Sequence, residues 1–311
     1  MKKILLVGGN GYIGSYLKFK FSELQDSKLG LTSVDINWFS NENNAVDFKS
    51  LSREYLQSFD VIILLAAHSS VKMCDGNMLS SFRNNVENFI EIIDKIGKDQ
   101  KFIYASSSSV YGDTKNSIVS ENYNTFTPNN YYDLTKQIID TYALQSNLNF
   151  YGLRFGTVNG WSPNLRTDIM INSMVNSALI DGHIKLYIKD IMRPILGIND
   201  LYRAILSIIK SEDRNPGIYN LASFNSTSEE IANSVSEILK LPVKFYDKKE
   251  IEKITNVKLQ TTAYNFAISS KKFEKEFNFE FQENINTIVN SLITNFRNCE
   301  KSNRNEPKFY E

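Results

Sequence analysis

Tyr132 and Lys136 stand four residues apart in Tyr-Asp-Leu-Thr-Lys, and the segment runs on through Ile138, Ile139, Tyr142 and Leu144 with helical spacing. Four residues apart on a helix, two side chains share one face. A free tyrosine, with a pKa of about 10, is a poor base near neutrality, but an adjacent ammonium group favours its phenolate. Such a pair can take or return the proton of a hydroxyl group. Ser107 lies just past the apolar run Phe102 to Ala105. There its hydroxyl can orient a reacting oxygen.

Residues that act on a bound molecule need a frame to hold it. Gly8-Gly9-Asn10-Gly11-Tyr12-Ile13-Gly14 falls between the apolar run Ile4 to Val7 and a segment in which Ile13, Leu17, Phe21 and Leu24 make one helical face. Glycines in that place allow a tight turn, close approach of backbone to a pyrophosphate, and close packing of helix on strand. The helix N-terminus offers its N–H groups to the anion. Asp35 ends the second apolar run, where a carboxylate accepts hydrogen bonds from ribose hydroxyls and repels a 2′-phosphate. The reading is a dinucleotide site for NAD(H) in preference to NADP(H). An oxidised nicotinamide ring would join Lys136 in favouring the Tyr132 phenolate.

Further apolar runs at Leu31 to Val34, Val61 to Leu65, Phe102 to Ala105 and Phe150 to Leu153 alternate with helical patterns. Strands buried on both faces indicate a parallel α/β sheet. The expected fold is α/β, a Rossmann-type doubly wound parallel sheet with a smaller mixed α/β substrate-binding domain. Residues 1–158 form the cofactor-binding part, to which the chain returns around 195–222, where Gly217 to Leu221 reads as a strand. Residues 159–194 and 223–311 form the substrate part and a polar C-terminal tail from Asn298. Thr227 and Glu230 make a capping box for a helix through Leu239.

Lysine and arginine number 35 and aspartate and glutamate 35, a balance that argues against nucleic-acid binding. Cys74 and Cys299 provide no disulfide framework, and with only His68 and His183 no metal-ligand cluster is in view. The first apolar run stops after four residues at Gly8-Gly9, too short for a secretory signal, and no run reaches the ~18 residues of a membrane span. A cytoplasmic enzyme without a membrane partner is expected. His68 is read as local packing or a loop hydrogen bond.

The glycine loop, Leu65-Ala66-Ala67, Asn85-Val86, Ala105 to Gly112 and Tyr132-x-x-x-Lys136 appear in an order that resembles the extended short-chain dehydrogenases/reductases, in particular the nucleotide-sugar epimerases and reductases. The resemblance covers nearly the whole chain. It implies that Ser107, Tyr132 and Lys136 are catalytic, Ser107 because the family's serine or threonine stands four before the tyrosine matched by Tyr111. It also implies that Gly8, Gly11, Tyr12, Ile13, Gly14, Asp35, Asp47, Phe48, Leu65, Ala66, Ala67, Asn85 and Phe155 line the cofactor with Tyr132 and Lys136. Substrate contacts would come from Ser107, Ser108, Thr157, Arg166, Asn172 and Arg193. Thr157 replaces an asparagine common in relatives, and Asn164 stands where a similar branch has a second arginine. The stretch around Arg193 lacks the family's first aspartate and its histidine. The forked donors of Arg193 still suit a diphosphate.

Relatives that dehydrate the sugar place Asp-Glu after the serine, where this chain has Ser108 and Ser109. Relatives that epimerise beside a ketone often place cysteine at the position of Ser109. The resemblance therefore implies hydride transfer at C4 of a nucleotide-diphosphate sugar, as a 4-epimerase or 4-dehydrogenase in surface-polysaccharide sugar synthesis. Two alternatives stay open: a 4-keto-sugar reductase, and a catalytically silent NAD(H)-binding sensor. The helices around Asn85 to Ile96 and Tyr132 to Leu144 correspond to those that pair in the family's homodimers.

Overall fold

The apolar runs become strands β1 (Lys2–Val7), β2 (Leu29–Val34), β3 (Val61–Leu64) and β4 (Lys101–Ser107), joined by Asn149–Phe155 and Gly217–Leu221 in one six-stranded sheet. The structure, a computed structural model, describes residues 1–38, 44–115, 117–124, 128, 130–212, 215–247, 250, 265–296 and 300–301. Across the sheet the order is Gly217–Leu221, Asn149–Phe155, β4, β3, β1, β2, with every pairing parallel. Ile4, Leu5 and Leu6 of β1 are completely buried, because helices cover both faces and two hydrophobic clusters meet the sheet from opposite sides. The first crossover from β1 leads to β2 on one side and the next leads to β3 on the other. That reversal opens a crevice at the carboxyl ends of β1 and β3, the usual place for a ligand in such a sheet.

Helix α1 (Tyr12–Glu23) leaves β1 through the glycine loop, starting at Gly11. Leu17 is fully buried and Ile13 and Phe21 pack against the same cluster, while Leu24 ends the helix. Its buried face is wider than the spacing suggested. Tyr12, Ser15 and Tyr16 are buried too, since α1 also packs on the helix Ile198–Lys210 and on the chain at Asn164–Leu165. Strand β4 runs through Ser107, which is its last residue rather than the residue after it.

The second half is mixed. Thr157–Asn159, Met192–Gly197 and Phe224–Thr227 make a three-stranded sheet, the middle strand parallel to the first and antiparallel to the last. Gly217–Leu221 crosses back to pair with Asn149–Phe155 in the main sheet. The capping box forms: Glu230 N donates to Thr227 Oγ1 at 3.2 Å and Thr227 N to Glu230 Oε2 at 2.9 Å, opening the helix Ser228–Leu239. That helix packs with Met170–Asp181 and Ile285–Asn295. Among the described residues no helix is long and apolar enough to cross a membrane. Cys74 is buried as a free thiol, and Cys299 lies outside the described residues. So does most of the expected tail, of which residues 300–301 pair with Asn164–Leu165.

Candidate active site

A cavity of about 1110 Å³ opens at the carboxyl ends of β1, β3 and β4, and it contains most of the residues singled out from the sequence. Gly8, Gly11, Tyr12, Ile13, Gly14, Asp35, Phe48, Leu65, Ala66 and Ala67 line one part. Ser107, Ser108, Tyr132, Lys136, Phe155 and Thr157 line the middle, and Arg166 and Arg193 also face the cavity. The loop backbone has the form of a cradle. A Cβ on Gly11 would meet only the Gly8 carbonyl oxygen, at 3.7 Å, so the turn is open on that side. Gly8, at φ +94°, takes a conformation that suits glycine, and a Cβ there would press on Ala66 N at 2.6 Å. Asp35 closes the far side, with Oδ2 accepting from Asn10 N at 2.9 Å and Oδ1 from Asn37 N at 2.7 Å.

The catalytic candidates meet because a helix start and a strand end face each other. Asn130 caps the helix Tyr131–Gln145 by accepting from Asp133 N at 2.8 Å, which puts Tyr132 in the first turn and Lys136 one turn later. Lys136 Nζ donates to the Ala105 carbonyl oxygen on β4 at 2.7 Å and sits 5.8 Å from the Tyr132 ring centroid. The Ser107 hydroxyl faces the Tyr132 phenol across the cavity wall. Ser107 Oγ is 2.7 Å from Ser109 Oγ and accepts from Ser109 N at 3.2 Å.

Burial dominates the acid–base properties here. It pushes the Tyr132 phenol up to about 12, against a lowering hydrogen bond from Ser107. Burial pushes Lys136 down to about 8, opposed by the negative charge of Asp140. Arg193 is driven down to about 10 by burial, with its guanidinium 5.0 Å from the Phe266 ring centroid. For Arg166 burial works against the charge, but hydrogen bonds to Asp168 at 2.9 and 2.8 Å outweigh it and raise the pKa.

Three expected contacts lie outside the cavity wall. Asn172, expected at the substrate, is buried behind the cavity wall. It is 1% exposed, and its amide accepts from Gly160 N at 2.9 Å and donates to Arg166 O at 2.9 Å, bracing the loop between them. Asp47 caps the turn Phe48–Ser50 through Lys49 N and pairs with Lys49 Nζ at 3.2 Å. Asn85 ties the loop after β3 to the helix of Tyr132, accepting from His68 N at 2.8 Å and donating to Thr135 Oγ1 at 3.1 Å. His68 is buried, its Nδ1 is 3.0 Å from Ser81 Oγ, and burial lowers its pKa to about 4. Ser108 lines the cavity, but its hydroxyl donates to the Phe155 carbonyl at 2.7 Å.

Other cavity residues carried no local signal. Trp38, Lys72 and Phe266 reach the wall from segments without a recognisable motif. Ser106 Oγ, buried in the wall, has no hydrogen-bond partner among the described residues. Ser109 and Asp133 are joined by a hydrogen bond from Ser109 Oγ to Asp133 Oδ1. Asp133 stood in plain view between Tyr132 and Lys136, but its partner lies 24 residues earlier.

The family model described as the NAD dependent epimerase/dehydratase family matches residues 4–222. Protein CapI of Staphylococcus aureus is 29% identical over 235 residues, covering 67% of this chain and 69% of that protein. UDP-glucose 4-epimerase of Mycoplasma genitalium is 31% identical over 221 residues, covering 60% of this chain and 63% of that protein. Among solved structures, MoeE5 in complex with UDP-glucuronic acid and NAD superposes with TM-score 0.77 at 20% identity, covering 95% of this chain and 99% of that one. A UDP-glucose-4-epimerase from Stenotrophomonas maltophila with bound NAD gives TM-score 0.80 at 16% identity, covering 96% of this chain and 98% of that one. At these identities the structural likeness establishes the fold.

Proposed function

Since this chain belongs to the NAD-dependent epimerase/dehydratase family, we propose that it is a nucleotide-sugar 4-epimerase that oxidises the C4 hydroxyl of a UDP-linked sugar and returns the hydride to the other face of the same carbon. The observation that carries this reading is the convergence of Ser107, Tyr132 and Lys136 in the same cavity as the glycine loop and Asp35. Gly8, Gly11, Ile13, Asp35 and the walls at Phe48, Ala66 and Phe155 would hold NAD, which when bound would supply the hydride acceptor. Tyr132 takes the proton of the C4 hydroxyl and later returns it. Lys136, fixed by the Ala105 carbonyl, biases the phenol toward its ionised form. Ser107 holds the reacting oxygen. Arg166, Arg193 and Thr157 are assigned to the diphosphate and sugar, Arg193 as the principal diphosphate contact.

In this reading residues 1–158 with the return at 195–222 bind the cofactor, and 159–194 with 223–311 make up the substrate-binding part and the C-terminal tail. The location is cytoplasmic, where NAD(H) and nucleotide sugars are available. A homodimer is supported by apolar side chains facing solvent on neighbouring helices: Leu79 and Phe82, three apart on one helix, are 60% and 37% exposed, and Tyr142 is 39% exposed. Sedimentation of the chain and of Leu79→Glu tests it; a dimer that the glutamate splits is expected, and a monomeric parent chain overturns it.

The activity is tested by denaturing the purified protein to identify the nicotinamide it releases, and by incubating fresh protein with UDP-glucose, UDP-glucuronate and UDP-N-acetylglucosamine without added cofactor. The expected result is bound NAD and a C4-inverted product with no net redox change. Turnover only with stoichiometric NADH or NADPH, on 4-keto sugars, would make it a reductase instead. Bound NAD(H) with no turnover of any sugar would leave a sensor.

A further inference from the structure

Ser107 is tied to a buried carboxylate that the reaction as described does not use. From Ser107 Oγ the hydrogen bonds run to Ser109 Oγ at 2.7 Å and from Ser109 Oγ to Asp133 Oδ1. Asp133 is 1% exposed, and its second oxygen accepts from Asn130 Nδ2 at 2.6 Å. Asp133 N in turn donates to Asn130 Oδ1, so the carboxylate is fixed against the first turn of the helix that carries Tyr132 and Lys136. It also lies in the wall of the cavity.

An ionised carboxylate has only lone pairs to offer. Ser109 must then donate its hydrogen bond to Asp133, which leaves Ser109 an acceptor toward Ser107 and turns the Ser107 proton away from substrate. Ser107 then meets the reacting oxygen with a lone pair only, so it gives the oxygen of a ketone no hydrogen bond, and the O–H of an alcohol stays directed at Tyr132. With Asp133 protonated the order reverses. Asp133 donates to Ser109, Ser109 donates to Ser107, and Ser107 donates into the cavity, which suits the ketone.

We propose that Asp133, acting through Ser109, is a positioning residue that sets whether Ser107 donates a hydrogen bond to the reacting oxygen, and so sets the balance between bound alcohol and bound ketone. The proton of the C4 hydroxyl still passes to Tyr132 and the hydride to the cofactor; the relay itself only reorients hydroxyl protons. Burial raises the pKa of Asp133, while its bonds from Ser109 and Asn130 oppose the rise. The groups facing it are Tyr132 on its own helix, Cys74 from the helix Val71–Cys74, and Ser109 and Asn130. The inference rests on the 4-epimerase reading.

The test uses the NAD-loaded chain, Asp133→Asn and Ser109→Ala, each mixed with UDP-glucose, UDP-glucuronate or UDP-N-acetylglucosamine. Absorbance of reduced nicotinamide at equilibrium reads the ketone-bound fraction, alongside kcat and KM. In Asp133→Asn the amide donates to Ser109 and fixes the reversed order. The ratio of reduced to oxidised bound nicotinamide is expected to rise about tenfold, the factor one hydrogen bond commonly sets, with cofactor still bound. Ser109→Ala removes the relay and leaves the Asp133–Asn130 cap in place; kcat is expected to fall about tenfold with KM within about twofold. A merely structural role would weaken cofactor retention without moving the ratio. An unchanged ratio in Asp133→Asn, or parental kcat and ratio in Ser109→Ala, overturns the proposal. If the unaltered chain neither turns over these sugars nor reduces its nicotinamide with them, the 4-epimerase reading itself fails.

Discussion

Removing one oxygen from Tyr132 separates chemistry from structure, because the phenol faces Ser107 in the cavity and not the core. Tyr132→Phe is expected to lower kcat by about 10²–10⁴, the usual worth of a positioned acid–base group, with bound NAD retained. Parental turnover would take Tyr132 out of the mechanism. Asp35 is a subtler case, since both its oxygens already serve Asn10 N and Asn37 N. Asp35→Asn keeps an acceptor and removes the charge, so NAD affinity is expected to fall about tenfold while NADP affinity holds or improves. An equal change for both cofactors would overturn the ribose assignment. The residues legible in the sequence are those whose role follows from local spacing, such as Tyr132 with Lys136 and the loop glycines. Asn172 was not, because whether an amide faces substrate or braces a loop depends on partners such as Gly160 and Arg166 that folding brings to it.

Elements with a strong period were equally legible. The runs of β1, β3 and β4 are apolar on both faces because both faces are buried, and the Thr227–Glu230 box formed as its spacing demanded. The small sheet was not, since strands as short as Thr157–Asn159, with partly exposed ends, leave no alternation to detect. The junction of β1 with α1 shows how tightly an element can constrain one residue. Any Cβ on Gly14 would collide with the Gly8 carbonyl oxygen and press on Gly9 Cα at 2.8 Å, both backbone atoms that cannot step aside. Gly14→Ala should therefore lift α1 from the loop, costing about 1–3 kcal/mol in urea unfolding and releasing bound NAD on purification. A variant that keeps its cofactor and its midpoint would show that the loop is more compliant than this packing implies.

At the scale of the whole molecule, the segment before the helix Ile285–Asn295 is fastened to the helix Ile198–Lys210 by two carboxylates that exchange backbone partners. Asp200, fully buried, accepts from Gln282 N and Glu283 N at 3.0 and 2.9 Å, while Glu283 Oε2 accepts from Asn199 N and Asp200 N at 2.8 and 3.1 Å. Burial pushes Glu283 up to about 7, with the charge of Asp200 adding to the rise and the two backbone N–H groups opposing it. A carboxyl whose folded pKa is raised holds a proton that the unfolded chain releases, so its contribution to stability falls as pH rises from about 4.5 to about 7 and is level above that. Glu283→Gln keeps an oxygen for Asn199 N and Asp200 N without the charge. Its melting temperature should match the parent near pH 4.5 and exceed it near pH 8, by an amount equivalent to about 1–2 kcal/mol once partial solvent screening is allowed for. A glutamine variant less stable than the parent at the higher pH would mean that the helix N-terminus holds Glu283 ionised and that the clamp depends on its charge.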